Sequence, residues 1–311
     1  MSIGAVRLPA TESATRATTW NSLLAGTAEL LRLRLSLLVL FVVTIAGLIA
    51  QHGVGDLSRV LHAVFGTMMV AASASVINQW LERRADALMH RTADRPLASG
   101  RLSPRVAFSV GVSLGLAGTV YLIRQAGWQP ATWAALSWLV YVMLYTPLKS
   151  RSPWNTAVGA VSGALTVWVG WTAAGAPVIA AHDPRAVALF LVVFLWQFPH
   201  FMAIAWIHRA DYARAGMKMY TVVEPSGRQA GLQAICGALW LLPISLVLTW
   251  NAPPLGALCY GAAAFVLGTL QLALAIWFYR SRSDESARML FRYSLFYLPA
   301  LLGLVVCVPW F

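Results

Sequence analysis

Apolar residues dominate this chain in long blocks, broken by short polar stretches. Nine blocks reach the roughly 20 residues that a helix needs to cross hydrocarbon. They lie near 33–51, 60–81, 105–123, 131–148, 156–174, 186–206, 232–250, 255–278 and 290–310. The pattern predicts an all-α, polytopic membrane protein. The intervening segments are short, so residues 31–311 read as a single transmembrane domain behind a Ser/Thr-rich tail, residues 1–30.

Composition agrees. The 311 residues are 59% hydrophobic and 11% charged, against roughly 25% charged in soluble domains. A net charge of +12 could suggest nucleic acid. The basic residues instead form short clusters between apolar blocks, which argues for topology and against a nucleic-acid partner. All but Arg59, Arg124 and Arg185 of the 23 Lys and Arg residues fall on the side of the N-terminus. The positive-inside rule then places the N-terminus in the cytoplasm and, after an odd number of spans, the C-terminus outside. Cys236, Cys259 and Cys307 sit in apolar blocks and form no CxxC or CxxCH motif, so neither redox chemistry nor covalent haem attachment is indicated. Residues 1–30 carry no short apolar core with a cleavage site, so no secretory signal is expected.

Three polar clusters exceed what topology requires. At the end of the second block, Asn78, Glu82 and Asp86 recur every fourth residue and share one helix face. Oxygen ligands in a row suit Mg²⁺ or Ca²⁺. Arg91 and Arg95 follow, and guanidinium groups match phosphate oxygens. After the fourth block comes Tyr145-Thr146-Pro147-Leu148-Lys149, where Lys149 is a topology anchor or a further phosphate contact. The sixth block holds Trp196-Gln197-Phe198-Pro199-His200-Phe201 and runs on to Asp211. His200, Ile204, His208 and Asp211 are spaced as one helix face, and Pro199 predicts a kink that opens a cavity. Carboxylates, a divalent ion and arginines at a membrane edge suggest a diphosphate with an apolar tail.

These strings resemble the UbiA superfamily of intramembrane prenyltransferases, in particular its haem-modifying branch. The resemblance rests on Asn78-x3-Glu82-x3-Asp86-x2-Met89-x-Arg91-Thr92-x2-Arg95, on Tyr145-Thr146-x-Leu148-Lys149, on Gly159-x3-Gly163-Ala164 through Gly170-Trp171, and on Trp196-Gln197-x-Pro199-His200-Phe201 with Asp211-Tyr212. It extends from about residue 30 to 310 and implies a nine-helix bundle around a central cavity open to the cytoplasm.

The implied activity is transfer of a farnesyl group from farnesyl diphosphate to a vinyl group of protohaem IX (haem B), with addition of water, giving haem O. The resemblance implies Mg²⁺ on Asn78, Glu82, Asp86 and Asp211, the diphosphate on Arg91, Arg95, Lys149 and Arg209, and an acceptor site with His200, Trp196 and Tyr145. His200 could ligate haem iron, hold a water, contact the diphosphate or simply be a hydrogen-bonded helix residue. Trp80, Tyr145, Trp196, Phe198 and Phe201 are candidates to stabilise a carbocation by their ring faces. Haem A synthase or a terminal-oxidase assembly apparatus is an implied partner, besides the bilayer. The implied location is a bacterial inner membrane rather than a mitochondrial one.

Three positions depart from the family pattern: Ala215 in place of a second acid after Asp211, Arg84 in place of an acid, and Leu165-Thr166 where prolines are usual. The last leaves the bend of the fifth block open. The competing readings are a prenyltransferase for quinone precursors or another aromatic acceptor, a transporter and a haem-binding scaffold. The Trp-Gln-x-Pro-His-Phe string argues against the first of these, the lack of segments like substrate-gating half-helices against the transporter, and the acidic row against the scaffold.

Overall fold

The computed structural model describes residues 33–50, 56–178 and 183–308. The expected tail, residues 1–30, lies outside them. Eight described helices are long and apolar enough to cross a membrane, and a shorter apolar helix joins them. In order they are α1 (Leu33–Ala50), α2 (Leu57–Asp86), α3 (Pro104–Gln125), α4 (Trp128–Leu148), α5 (Asn155–Ala173), α6 (Arg185–Ile207), α7 (Arg228–Leu246), α8 (Pro254–Ser281) and α9 (Asp284–Cys307). Among the described residues, nine apolar helices therefore stand where nine blocks were read.

Local signals set several ends. Asp56 caps α2 by accepting from the Ser58 and Arg59 amides. Ser283 caps α9, with Asp284 and Glu285 in its first turn. Pro104 and Pro254 open α3 and α8, where a missing N–H costs nothing.

Sequential helices pack against one another, and α1 packs on α2, α5 and α9. Lipid offers no hydrophobic drive between helices, so close backbone approach matters. Gly170 illustrates this, since a Cβ there would run into the Val43 carbonyl oxygen of α1. Gly170→Ala is expected to cost about 1–3 kcal/mol through overpacking, read as a lower unfolding temperature in detergent.

Pro199 lies inside α6; a cavity opens on the Gln197 and Phe201 side of that turn, while its α7 side is closely packed. Gly237 of α7 presses on that turn, and a Cβ on it would lie 2.8 Å from the Leu195 carbonyl oxygen, which a proline at 199 leaves without its helical donor. The expected continuous face from His200 to Asp211 is also interrupted. α6 ends at Ile207, and a short helix, Arg209–Arg214, starts after His208. Among the described residues α5 is one helix, and Thr166 lies within it.

Candidate active site

A cavity of about 930 Å³ lies between α2, α4, α5 and α6 and reaches the end of the bundle where the charged connections lie. Its mouth is lined by Glu82, Asp86, Arg91, Arg95, Lys149 and Tyr212. Deeper in, Val70, Ala71, Ala74, Ala134, Trp138 and Phe201 line it, together with Ser137, Ser162, Thr166 and Gln197.

α2 runs to Asp86 without a break, so the four-residue spacing becomes one buried edge: Asn78 is 0% exposed, Glu82 8% and Asp86 1%. Arg84 is exposed, off that edge. Both carboxylates are paired. Lys149 Nζ lies 2.8 Å from Glu82 Oε1, and Arg95 donates to both Asp86 oxygens at 2.8 Å. Asn78 Nδ2 donates to Thr146 Oγ1 at 3.0 Å, whereas its buried Oδ1 accepts nothing.

α4 changes to a π-helical turn over Val140–Tyr145, a feature frequent at functional sites. The turn places Tyr141 and Tyr145 with ring centroids 5.2 Å apart, and Lys149 Nζ lies 4.5 Å from the Tyr145 centroid. Gly159 makes room for that ring, since a Cβ would sit 2.8 Å from its edge.

The connections at the mouth are tied together. Asp211 accepts from the His90 amide at 3.3 Å and pairs with Arg214. The Lys218 amide donates to the Lys149 carbonyl at 2.6 Å, and Asn155 Nδ2 donates to the Lys218 carbonyl at 3.1 Å. Thr92 Oγ1 donates to the Asp86 carbonyl at 2.9 Å. Arg91 stands 5.0 Å over the Tyr212 ring.

Burial opposes the Lys149 charge most strongly, but Glu82, Tyr145 and Tyr141 together outweigh it and raise the ammonium above its ordinary value. Burial also opposes the Asp211 charge, yet the His90 amide, Arg214 and Arg91 together hold that carboxyl below the usual range. The signs then follow from linkage. A raised lysine contributes fully below about pH 10 and is lost only as pH rises through its higher folded value; a depressed aspartate contributes fully above about pH 4 and is lost as pH falls through its lower folded value. Initial rates measured between pH 5 and pH 10 are expected to show no limb from either group. Burial, then Arg91, lowers His208 below the ordinary imidazole value.

Several expected site residues stand elsewhere. Asp211 serves the loop clamp just described and does not line the cavity. Among the described residues no three His, Cys, Asp or Glu side chains gather around one point. Arg209 turns away from the mouth: it donates to Asp284 at 2.7 Å, at the start of α9, and stacks 4.5 Å from the Trp206 ring. His200 Nδ1 is 2.8 Å from Ser294 Oγ, and Trp196 Nε1 donates to the Ser294 carbonyl at 2.7 Å. Both face α9, because the cavity face of α6 is Gln197, Phe201 and Ile204, one residue further round. Trp80 packs on Phe108 and Phe198 on Phe194, so of the carbocation candidates only Tyr145 and Phe201 line the cavity. Trp138 and Tyr141 went unread, although Trp138-x2-Tyr141-x3-Tyr145 is a helix-face pattern.

The donor set suits Mg²⁺. That ion keeps several waters and takes one or two carboxylates plus substrate phosphates instead of a full protein cage. Glu82 and Asp86 line the cavity and supply two carboxylates; Asn78, one turn deeper, keeps an unpartnered Oδ1 but does not itself line the cavity.

Residues 39–298 match the UbiA prenyltransferase family. The chain belongs to the UbiA prenyltransferase family. It is an intramembrane prenyltransferase, as the membrane-length helices around its cavity require. This prenyltransferase is 40% identical over 282 residues to the protohaem IX farnesyltransferase of Rhodopirellula baltica, covering 88% of this chain and 96% of that one. A solved digeranylgeranylglyceryl phosphate synthase shares its fold with a TM-score of 0.72 at 16% identity, covering 92% of this chain and 98% of that one. A UbiA homologue from Archaeoglobus fulgidus, solved with GPP and Mg²⁺, superposes with a TM-score of 0.65 at 14% identity and covers 91% of this chain and 100% of that one.

Proposed function

We propose that this prenyltransferase moves the farnesyl group of farnesyl diphosphate onto a vinyl carbon of protohaem IX, with addition of water, to give haem O and diphosphate. The observation that carries the reading is a single cavity with two characters. Its mouth gathers three cations and two carboxylates, and its interior is largely apolar and aromatic. A prenyl diphosphate has the same two halves. The acceptor is argued from the relative in Rhodopirellula baltica, named for farnesyl transfer to protohaem IX.

Glu82 and Asp86, with Asn78, would hold Mg²⁺, which when bound neutralises charge on the diphosphate. Arg91, Arg95 and Lys149 bind the phosphate oxygens and stabilise the leaving group as the allylic carbon–oxygen bond breaks. Such preorganised charge in a water-poor site is usually the largest catalytic effect. Tyr145, Tyr141, Trp138 and Phe201 enclose the farnesyl cation with ring faces and leave little room for bulk water. Residues 31–311 act as one catalytic domain. The mouth faces the cytoplasm of a bacterial inner membrane, with the tail on the same side and the C-terminus outside. Haem A synthase or terminal-oxidase assembly would receive the product.

Membranes containing the protein, given protohaem IX and farnesyl diphosphate with and without Mg²⁺, test this by mass spectrometry of extracted haem. A Mg²⁺-dependent hydroxyethyl-farnesyl adduct is expected. A folded, haem-binding protein that yields none would shift the acceptor to a quinone precursor or another aromatic.

A further inference from the structure

α5 turns Gly159, Ser162, Gly163 and Thr166 toward the cavity, a stripe at i, i+3, i+4 and i+7. The hydroxyls here spend their protons on backbone. Ser162 Oγ donates to the Ser137 carbonyl at 2.8 Å, and Ser137 Oγ donates to the Ser162 carbonyl at 2.8 Å. Thr166 Oγ1 donates to the Gly163 carbonyl at 2.7 Å. From α6, Gln197 Nε2 donates to the carbonyls of Ala160 at 2.9 Å and Val193 at 3.2 Å, which uses both amide hydrogens. Its Oε1 accepts nothing among the described residues and sits over Gly163, where a Cβ would come within 2.7 Å. Gln197, Ser162 and Thr166 are each at least nine-tenths buried.

The result is a niche of oxygen lone pairs without a free hydrogen, at membrane depth. A prenyl tail gains nothing from such a wall. Its complement is a small molecule with two O–H donors. A water that gives both hydrogens to these acceptors must point its own lone pair away from them, into the cavity.

We propose that Gln197, with Ser162 and Thr166, positions the water that adds to the haem side chain. This rests on the reading of the acceptor given above. The C1–oxygen bond of the farnesyl diphosphate breaks and its electron pair leaves with diphosphate. The terminal vinyl carbon bonds to C1, which leaves a cation on the inner vinyl carbon. Water oxygen bonds to that carbon, and its proton passes to diphosphate. Position agrees with this order. Tyr145, beside Lys149, packs over Gly159, and Gln197 lies over Gly163, four residues or about 6 Å deeper along α5. The inner vinyl carbon is two bonds beyond C1, so its water belongs below the phosphate-binding cations and not among them.

Without a held water the same cation loses a proton and yields a conjugated alkene, lighter by one water. Gln197→Leu keeps the volume and removes the acceptor. In purified full-length protein with protohaem IX, farnesyl diphosphate and Mg²⁺, the ratio of hydrated to dehydrated adduct is expected to fall about tenfold, the effect of one lost hydrogen bond. Thr166→Val, which spares the Gln197 contacts, is expected to shift the ratio the same way and serves if Gln197→Leu folds poorly. An unchanged ratio in both variants, or equal loss of both products, overturns the water site. A parent protein that makes no haem adduct of either kind overturns the acceptor reading itself, and this inference with it.

Discussion

Turnover of Asp86→Asn is expected to fall by about 10²–10³-fold, the range seen when one preorganised charge-stabilising group is removed from an active site. The substitution is nearly isosteric, and Asp86 is 1% exposed, so the helix has no reason to shift. The Thr92 hydroxyl bonds the Asp86 backbone carbonyl and is untouched. What changes is charge. Arg95 loses the carboxylate that accepts two of its hydrogen bonds, and the mouth keeps one of its two α2 carboxylates. A Mg²⁺ titration of farnesyl diphosphate binding separates the two consequences. Loss of the metal response places Asp86 on the ion, whereas an intact response with slow turnover places it on Arg95. Normal turnover with normal Mg²⁺ dependence would remove Asp86 from the site. Unfolding temperature, measured alongside, is expected to fall, because Arg95 loses its Asp86 carboxylate.

The charged half of this site was readable because helix periodicity alone carries it. Asn78, Glu82 and Asp86 fall on one edge whatever surrounds them, and α2 continues straight through them. Arg91 and Arg95 were readable as cations beside the carboxylates, Lys149 stood between topology anchor and phosphate contact, and all three line the cavity. The acceptor half was harder. On α6, Trp196 and His200 are the conspicuous residues, yet Gln197 and Phe201 line the cavity. One residue of rotation, about 100°, separates the two faces, and nothing within a uniformly apolar helix says which neighbour lies on which side. That depends on Ser294 of α9, which takes both conspicuous side chains and is distant in sequence. Arg209 and Asp211 misled for a related reason. Their spacing continues α6, but the chain breaks at His208, and each finds a long-range partner instead: Asp284 for Arg209 and the His90 amide for Asp211. Gln197 and Gly163 stand in the resembling strings, but the niche between them was not legible there, because its chemistry depends on where the hydrogens of Ser137, Ser162 and Thr166 point.

The second large effect separates stability from catalysis at one residue. Lys149→Met is expected to lower turnover by about 10²–10³-fold and to destabilise the protein as well. Glu82 is 8% exposed and faces Lys149 Nζ at 2.8 Å, so the substitution leaves a buried carboxylate without its cation. Breaking a buried pair from one side costs about 3–5 kcal/mol. A rate measured on that variant alone would mix the two losses. The double variant Lys149→Met with Glu82→Gln removes the stranded charge, and its unfolding temperature is expected to return most of the way to that of the parent. Its turnover is not expected to return, because the cation for the leaving diphosphate is still missing and a metal-binding carboxylate has gone with it. Recovery of both stability and rate in the double variant would mean that Lys149 only neutralises Glu82, and the leaving group would then rest on Arg91 and Arg95. Recovery of stability without rate separates the stranded charge from the catalytic loss, and the Glu82→Gln single variant then divides that loss between the carboxylate and the Lys149 cation. Tyr145 offers an internal check. Its ring lies beneath the ammonium and over Gly159, so Tyr145→Phe leaves the ring contact and the Lys149–Glu82 pair in place. That variant is expected to keep the parent's stability whichever way the double variant falls.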